Sequence, residues 1–434
     1  MKIANFILKI LGKQGGNVLG KIAKKLSPNI LSTFNINCPV IAVTATNGKT
    51  MTNNAIASML RQAGKHVICN TEGNNMETGI LSMFLKTCSL TGKLKADYIC
   101  LEVDESYVPI VFSKIHLDTL VVLDFFRDQL DRNGEVESLI LKLEEFLKTY
   151  QGNLILNQDD PNVVRLGYVN PQNSKVYYFH AEAYSHATKE ITEVGEGKFC
   201  PLCKMRLVYD YYQYSHIGKF HCPNCEYGKQ ESYVTASNID LEGKKFIANG
   251  IPFTMQSESI YVVYNFLAVI SVANLYHIDI EDVQKALSTF ELNKGRLEKL
   301  IIQGVPTIIN LAKNPTGSNV SLRLLREDPE PKELLFVLND KIADGFDVSW
   351  IWDINFNELG QVQRIITSGT RAYDMAIRIK TSGYPINIIE AELDLNKAVH
   401  KLYQTNVKKY IIANYTALEP TRKEILTLEK GLGK

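Results

Sequence analysis

Pro39-Val40-Ile41-Ala42-Val43-Thr44-Ala45-Thr46-Asn47-Gly48-Lys49-Thr50 decides the fold. The run from Pro39 to Val43 is compact and apolar and reads as a buried strand, and Met51 to Ala63 then shows helical periodicity. Gly48-Lys49-Thr50 between strand and helix is the chemical centre of a phosphate-binding loop. Backbone N–H groups and the helix N-terminus hold phosphate oxygens there, Lys49 neutralises their charge, and the Thr50 hydroxyl can bind Mg²⁺. Val43 occupies the position of the usual first glycine, so the flanking elements carry the reading more than the triplet does. A nucleotide site also needs an acid for the metal. Ile99-Cys100-Leu101-Glu102-Val103 supplies Glu102 at a strand end as the candidate Mg²⁺ ligand.

Further strand-like runs lie at His66 to Cys69, Asp97 to Val103, Thr119 to Leu123 and Asn153 to Leu156, with helical stretches such as Val136 to Tyr150 between them. This alternation predicts an α/β fold, a mostly parallel sheet covered by helices. After Gly295 a smaller alternating region begins, with strands expected at Thr307 to Leu311, Leu334 to Leu338, Arg364 to Thr367, Ile386 to Ile389 and Tyr410 to Ala413. Helices are expected there over Arg371 to Lys380 and Leu395 to Gln404. The boundaries that follow are a basic N-terminal segment at 1–37, a central ATP-binding domain at 38–294 and a C-terminal Rossmann-like α/β domain at 295–434.

The 434 residues, 45% hydrophobic and 22% charged, suit two or three ordinary globular domains, and a net charge of +1 gives no global pull toward nucleic acid. No Asp or Glu precedes Glu72, and Lys2, Lys9, Lys13, Lys21, Lys24 and Lys25 punctuate an amphipathic start. That start either packs on the body with its lysines in solvent or rests on an anionic membrane surface. Lys9 breaks the apolar run, which argues against a signal peptide, and no stretch is long enough to span a bilayer. The expected location is the cytoplasm, with peripheral contact at the inner face of the membrane left open.

Cys200-Pro201-Leu202-Cys203 and Cys222-Pro223-Asn224-Cys225 are two C-x₂-C knuckles with 18 residues between them. Four facing thiolates fit tetrahedral Zn²⁺, and a closed shell of four makes the metal structural, not catalytic. The insertion spans about 199–228. Tyr209, Tyr211, Tyr212, Tyr214 and Phe220 would cover a two-stranded ribbon, and His216 and His221 are expected on the surface because the shell is already complete. Cys38, Cys69, Cys88 and Cys100 read as buried, reduced thiols.

With these residues in place the chain resembles the Mur ligases along nearly its whole length, most closely the MurT branch. Thr46-Asn47-Gly48-Lys49-Thr50 is similar to the Mur ATP loop, with Ala45 where the family usually has Gly, and this implies ATP contacts from Asn47, Gly48, Lys49 and Thr50. Glu102 matches the family's metal-binding Glu. Asp124 to Gly134 resembles the next, substrate-side motif, with Gln129 where His is common, and Asn157-Gln158-Asp159-Asp160-Pro161 fits the following strand end. Tyr264-Asn265-Phe266-Leu267-Ala268 is similar to the motif that meets the adenine end of ATP, which implies a contact from Asn265. Gly295-Arg296 resembles the Arg that reaches the phosphates. Asn310-Leu311-Ala312-Lys313-Asn314-Pro315 stands where other Mur ligases have Asp-x-x-His-Asn-Pro, and this departure, like the four-cysteine insertion, agrees with the MurT branch. Asp344 to Asp353 matches that branch's C-terminal domain, with Phe346 in place of the usual Arg.

The resemblance implies ATP-dependent amidation of the D-glutamate α-carboxyl of lipid II through an acyl phosphate, with ATP, Mg²⁺ and Zn²⁺ bound. Ammonia would come from a GatD-like glutaminase subunit, since no lone cysteine here sits on a nucleophile elbow beside a His base. Asp347 is implied as the acid that orients the partner's catalytic His. Trp350 and Trp352, the only tryptophans, either anchor that interface or pack into their own domain. The competing readings are a stand-alone Mur-like or folylpolyglutamate-type ligase and a zinc-ribbon binding module. The scarcity of basic residues between the knuckles (Lys204, Arg206 and Lys219) disfavours nucleic acid.

Overall fold

The computed structural model describes residues 17–70, 74–89, 91–127, 135–190, 196–291, 295 and 297–431. The chain divides into two compact units. One comprises Met1–Phe126, Val136–Ile191 and Gly195–Leu292, and the other Arg127–Glu135, Thr192–Val194 and Asn293–Lys434.

The first unit is built on a nine-stranded sheet, in the order Ile251–Thr254, Lys245–Ala248, Val234–Asp240, Lys175–Ala181, Asn153–Asn157, Thr119–Val122, Val40–Thr44, Tyr98–Glu102, Val67–Cys69. The seven strands from Val234–Asp240 to Val67–Cys69 pair in parallel. Val40–Thr44 is an interior strand, and both its faces are buried. Ile41 and Val43 enter one hydrophobic cluster, and Val40 and Ala42 the other. An unbroken apolar run with no polar alternation is what a doubly covered parallel strand requires. The last two strands, Lys245–Ala248 and Ile251–Thr254, extend the sheet antiparallel. Helix Ile260–Leu275 is buried on nearly every side, as an apolar-all-round helix must be, and packs in the same cluster as Val43.

Near the N-terminus, helix Val18–Leu26 buries Leu19, Gly20 and Ala23 against helix Glu77–Thr87. A Cβ on Gly20 would lie 1.9 Å from the Thr78 carbonyl, so only glycine allows this crossing, and the Gly20 N–H bonds Ser82 Oγ at 2.7 Å. Lys24 and Lys114 both pair with buried Glu77. Val18, Ile22 and Leu26 remain exposed. Among the described residues, the helix therefore packs on the body. Residues 1–16 of the basic segment lie outside them. No helix of the described residues is long and apolar enough to cross a membrane.

The second unit holds a six-stranded sheet in the order Glu298–Ile302, Val305–Leu311, Lys408–Ala413, Lys332–Val337, Arg364–Ser368, Ile389–Ala391, parallel except for the first pair. The strand expected at Ile386 to Ile389 is instead a 3₁₀ turn, Ile386–Ile388, that gives way to a strand at Ile389–Ala391. Pro385 starts this stretch at φ −62°, has no N–H for the ladder, and so delays pairing.

Candidate functional site

Gly48 caps helix Lys49–Gln62 at φ +81°, the left-handed region that favours glycine. The turn aims the helix's first N–H groups out of the strand end, and no acid occupies the first helical turn. Distant parts of the same unit hold the loop in place. The Asn47 N–H bonds Asp124 Oδ1 at 2.8 Å, and the Thr46 N–H bonds the Asp124 carbonyl at 3.1 Å. Thr46 Oγ1 accepts from the Phe126 N–H at 3.0 Å and donates to the Phe126 carbonyl at 3.2 Å. Burial pushes the Asp124 carboxyl well above the usual carboxylate range. Lys49 Nζ donates to the Ala45 carbonyl at 2.6 Å and faces the buried Glu105 carboxylate at 3.5 Å.

Asn265 is buried directly beneath this loop. Its Oδ1 lies 2.4 Å from where a Gly48 Cβ would stand, and its Nδ2 reaches Met51 Sδ at 3.2 Å. Glu102 closes the site from the neighbouring strand. Asn70 grips its peptide group from both sides, accepting from the Glu102 N–H and donating to its carbonyl, each at 2.8 Å. Asn75 Nδ2 reaches Oε1 at 3.3 Å, whereas Oε2 is buried with no hydrogen-bond partner among the described residues. A rigidly held carboxylate with one bare oxygen fits a hard divalent cation. Arg296, Gln129 and the rest of the 128–134 stretch lie outside the described residues.

The four patterned cysteines converge, with all sulfurs within 4.8 Å of one another. Cys200 and Cys225 Sγ are 3.6 Å apart, and Cys203 and Cys222 Sγ are 3.4 Å apart. A tetrahedral site with bonds of about 2.3 Å needs sulfur separations of about 3.8 Å, so the donor set fits Zn²⁺. The Asn224 N–H points at Cys222 Sγ at 3.4 Å, and the Met205 N–H leads in holding the Cys203 thiol down to about 6. From the knuckles rises the two-stranded hairpin Val208–Tyr214 and Ile217–His221.

His216 at its tip is 2% exposed, which corrects the expectation of a surface residue. The aromatic face of the hairpin turns inward onto the unit and carries the imidazole with it, while His221 remains on the surface. Among the lone cysteines, Cys100 is buried and Cys38, Cys69 and Cys88 are only half-buried. Burial raises the Cys38 thiol, takes Cys69 up to about 12 and lifts Cys100 well above its ordinary value, so these three hold no thiolate for nucleophilic attack at neutral pH.

In the second unit, Asp347 is tied within its own turn. Its Oδ1 accepts the Ser349 N–H at 2.7 Å, and that N–H, with the Ser349 hydroxyl, holds its carboxyl below the usual range. Asp344 is buried and committed to Thr416, and Asp353 pairs with Arg127 at 3.1 Å. Trp352 is 54% exposed, and Phe346 and Ile342 are exposed nearby. Trp350, at 6%, is packed into the unit's core, the second of the two readings open for it. Asn310 ties the Leu297 N–H to Ser321 Oγ, and Asn314 caps helix Pro315–Glu327.

The family model for the Mur ligase middle domain matches residues 43–273, and that for the MurT ligase C-terminal domain matches 311–418. The subunit MurT of a glutamine-hydrolysing lipid II isoglutaminyl synthase from Staphylococcus aureus is 31% identical over 98% of this chain and 96% of its own length. The chain belongs to the MurT family of Mur ligases. The MurT subunit from Streptococcus pneumoniae is 29% identical over 96% of this chain and 93% of its own length. Among solved structures, a pseudomurein peptide ligase type C from Methanothermus fervidus matches with TM-score 0.71 at 21% identity, over 92% of this chain and 80% of that one. The MurF ligase from Thermotoga maritima, in complex with ADP, matches with TM-score 0.59 at 16% identity, over 96% and 84%. These two show that the MurT family member shares the Mur ligase fold.

Sequence reasoning missed the anchors behind the phosphate loop. Asp124 opens the stretch that resembles the substrate-side motif and Glu105 lies three positions after Glu102, but neither position announces which loop it will face. Asn70 follows a three-residue strand and carries no motif of its own.

Proposed function

We propose that this chain is the synthetase subunit of a lipid II isoglutaminyl synthase, amidating the D-glutamate α-carboxyl of the stem peptide at the expense of ATP. The observation that carries the reading is near-full-length similarity to MurT subunits bearing that activity in their names, together with an assembled phosphate loop. A free carboxylate resists ammonia because oxide is a poor leaving group. Transfer of the γ-phosphoryl group to a carboxylate oxygen, with ADP leaving, gives an acyl phosphate. Ammonia then attacks the acyl carbon and phosphate departs.

In this reading Asn47, Gly48, Lys49 and Thr50 hold the ATP phosphates, with Lys49 exchanging its loop carbonyl for phosphate oxygens as charge develops. Asn265 supports the nucleotide from beneath the loop, and Arg296 completes the phosphate contacts. Glu102 and Thr50 would hold Mg²⁺, which would offset the negative charge of the phosphates. Cys200, Cys203, Cys222 and Cys225 hold Zn²⁺ as a structural clamp. Ammonia comes from a GatD-like glutaminase subunit, whose catalytic His is oriented by Asp347, with Trp352 on the docking face. Because lipid II is lipid-anchored, the enzyme works in the cytoplasm at the inner membrane surface, where Ile22, Leu26, Lys21 and Lys25 suit peripheral contact.

The test is turnover of ATP with lipid II, glutamine and the partner subunit. Amide formation matched by ADP release, and dependent on all four, is expected. Ligation of an amino acid to a carboxylate by this chain alone would contradict the proposal.

A further inference from the structure

The four-cysteine hairpin ends where the phosphate loop is anchored. At the turn between its strands, Ser215 at φ +46° swings His216 into the protein. The imidazole lies over Phe126 with ring centroids 4.5 Å apart, and its Nε2 is 3.5 Å from Asp160 Oδ1. Neither ring nitrogen has a hydrogen-bond partner among the described residues. The ring therefore sits there as a packed plate. Phe126 gives both its N–H and its carbonyl to Thr46 of the phosphate loop. Asp160 in turn accepts the Phe125 N–H at 2.8 Å, fixing the peptide between Asp124 and Phe125.

A second arm leaves the same tip. Tyr214 packs edge-on against Tyr264, with centroids 6.0 Å apart, and the Tyr264 hydroxyl is fixed by Asp159 Oδ2 at 2.6 Å. The next residue, Asn265, is the one wedged beneath Gly48. The two arms thus reach the loop at Thr46 and at Gly48, on either side of Asn47.

We infer that the tip of the four-cysteine hairpin positions the phosphate loop, with His216 and Tyr214 as positioning residues. The inference rests on reading that loop as the ATP site. The knuckles hold the base of the hairpin, and a five-residue antiparallel strand spans about 17 Å, so the clamp sets the height of the tip from a distance. Loss of the plate frees the Asp124–Phe126 stretch to shift, and the Thr46 and Asn47 amides lose their fixed acceptors on Asp124. The effect falls on nucleotide binding and not on metal binding.

The experiment uses the full chain with its partner and compares His216→Ala with His216→Phe, which restores a ring of similar breadth. His216→Ala is expected to weaken ATP binding by about tenfold, as mutations along such contact chains do, with metal content unchanged. Hydrogen exchange at the Thr46, Asn47 and Phe126 amides is expected to quicken. His216→Phe is expected to return ATP affinity to within about twofold of wild type. A merely structural residue would lower the unfolding temperature without selective exchange at those amides. If His216→Ala binds ATP and exchanges like wild type, or if His216→Phe is no better than alanine, the inference is overturned. Should His216→Ala not fold, Tyr214→Leu carries the same expectation, and wild-type affinity in it is equally fatal. Lys49→Ala is the control for the site itself. ATP binding indifferent to it would defeat the ATP-site reading, while exchange at the three amides would still decide whether the tip positions the loop.

Discussion

The phosphate loop and the loop bearing Asp347 each follow a buried strand of a largely parallel sheet, yet they are held in opposite ways. Asn47, Thr46 and Lys49 meet Asp124, Phe126 and Glu105, which lie 77, 80 and 56 positions away in the chain. Asp347 takes its hydrogen bond from Ser349, two positions on. The first loop is preorganised by the tertiary structure around it, as a site that must bind phosphate without reorganising needs to be. The second is shaped by its own turn, as the role proposed for Asp347 on a partner's site would require. The neighbouring acids are spent elsewhere, Asp344 being buried on Thr416 and Asp353 paired with Arg127.

Substitutions can break this contrast or sharpen it. Lys49→Ala or Thr50→Ala is expected to reduce amidation on the order of 10⁴-fold with either nitrogen source, because charge on the transferring phosphoryl group loses its local partners. The fold should survive, since neither side chain is buried in the core. Near-normal product formation, read by mass spectrometry of the stem peptide, would remove the loop from the chemistry.

Asp124→Ala removes a tertiary anchor without touching phosphate. It should raise KM for ATP by about 10- to 100-fold while glutamine hydrolysis by the complex stays intact. An equal loss of both activities would mean that the two loops are not independent.

Glu77 gives a measure of tertiary anchoring that serves neither loop. Burial opposes its charge, but Lys114 and Lys24 outweigh that and hold its carboxyl below the usual range. Glu77→Gln should cost about 1–3 kcal/mol in denaturant unfolding, discounted for the partial exposure of both lysines, with ATP affinity unchanged. Because the folded value is depressed, this stabilisation is present above the unfolded carboxyl value. It fades as pH falls through the folded one, so the deficit of the variant should shrink below about pH 4. A deficit that persists in acid would assign it to packing.

The strand, loop and helix from Val40 to Gln62 were legible because an apolar run, a Gly-Lys-Thr and a 3.6-residue period each signal locally. The cysteines were legible for the same reason, since their spacing is the motif. Helix Glu77–Thr87 and strands Val234–Asp240, Lys245–Ala248 and Ile251–Thr254 were not. Their pairing is set by neighbours distant in sequence, and their half-buried patterns are short. Ile386 to Ile389 misled because β-branched residues suggested a strand where Pro385 forbids an early ladder. His216 misled for a related reason. Counting ligands placed it outside the four-cysteine cluster, but only the fold of the hairpin shows that outside the cluster means inside the protein.

The central claim, that one chain carries a self-contained synthetase site and lends an acid to a glutaminase, meets its most direct test in Asp347→Asn. The complex should be assayed for lipid II amidation with glutamine and, separately, with ammonium. Glutamine-driven amidation is expected to fall on the order of 10³-fold, while the ammonium-driven rate stays within about twofold of wild type. Loss of both rates would place Asp347 in the synthetase site, and retention of both would leave it a turn residue. Either result would contradict the account.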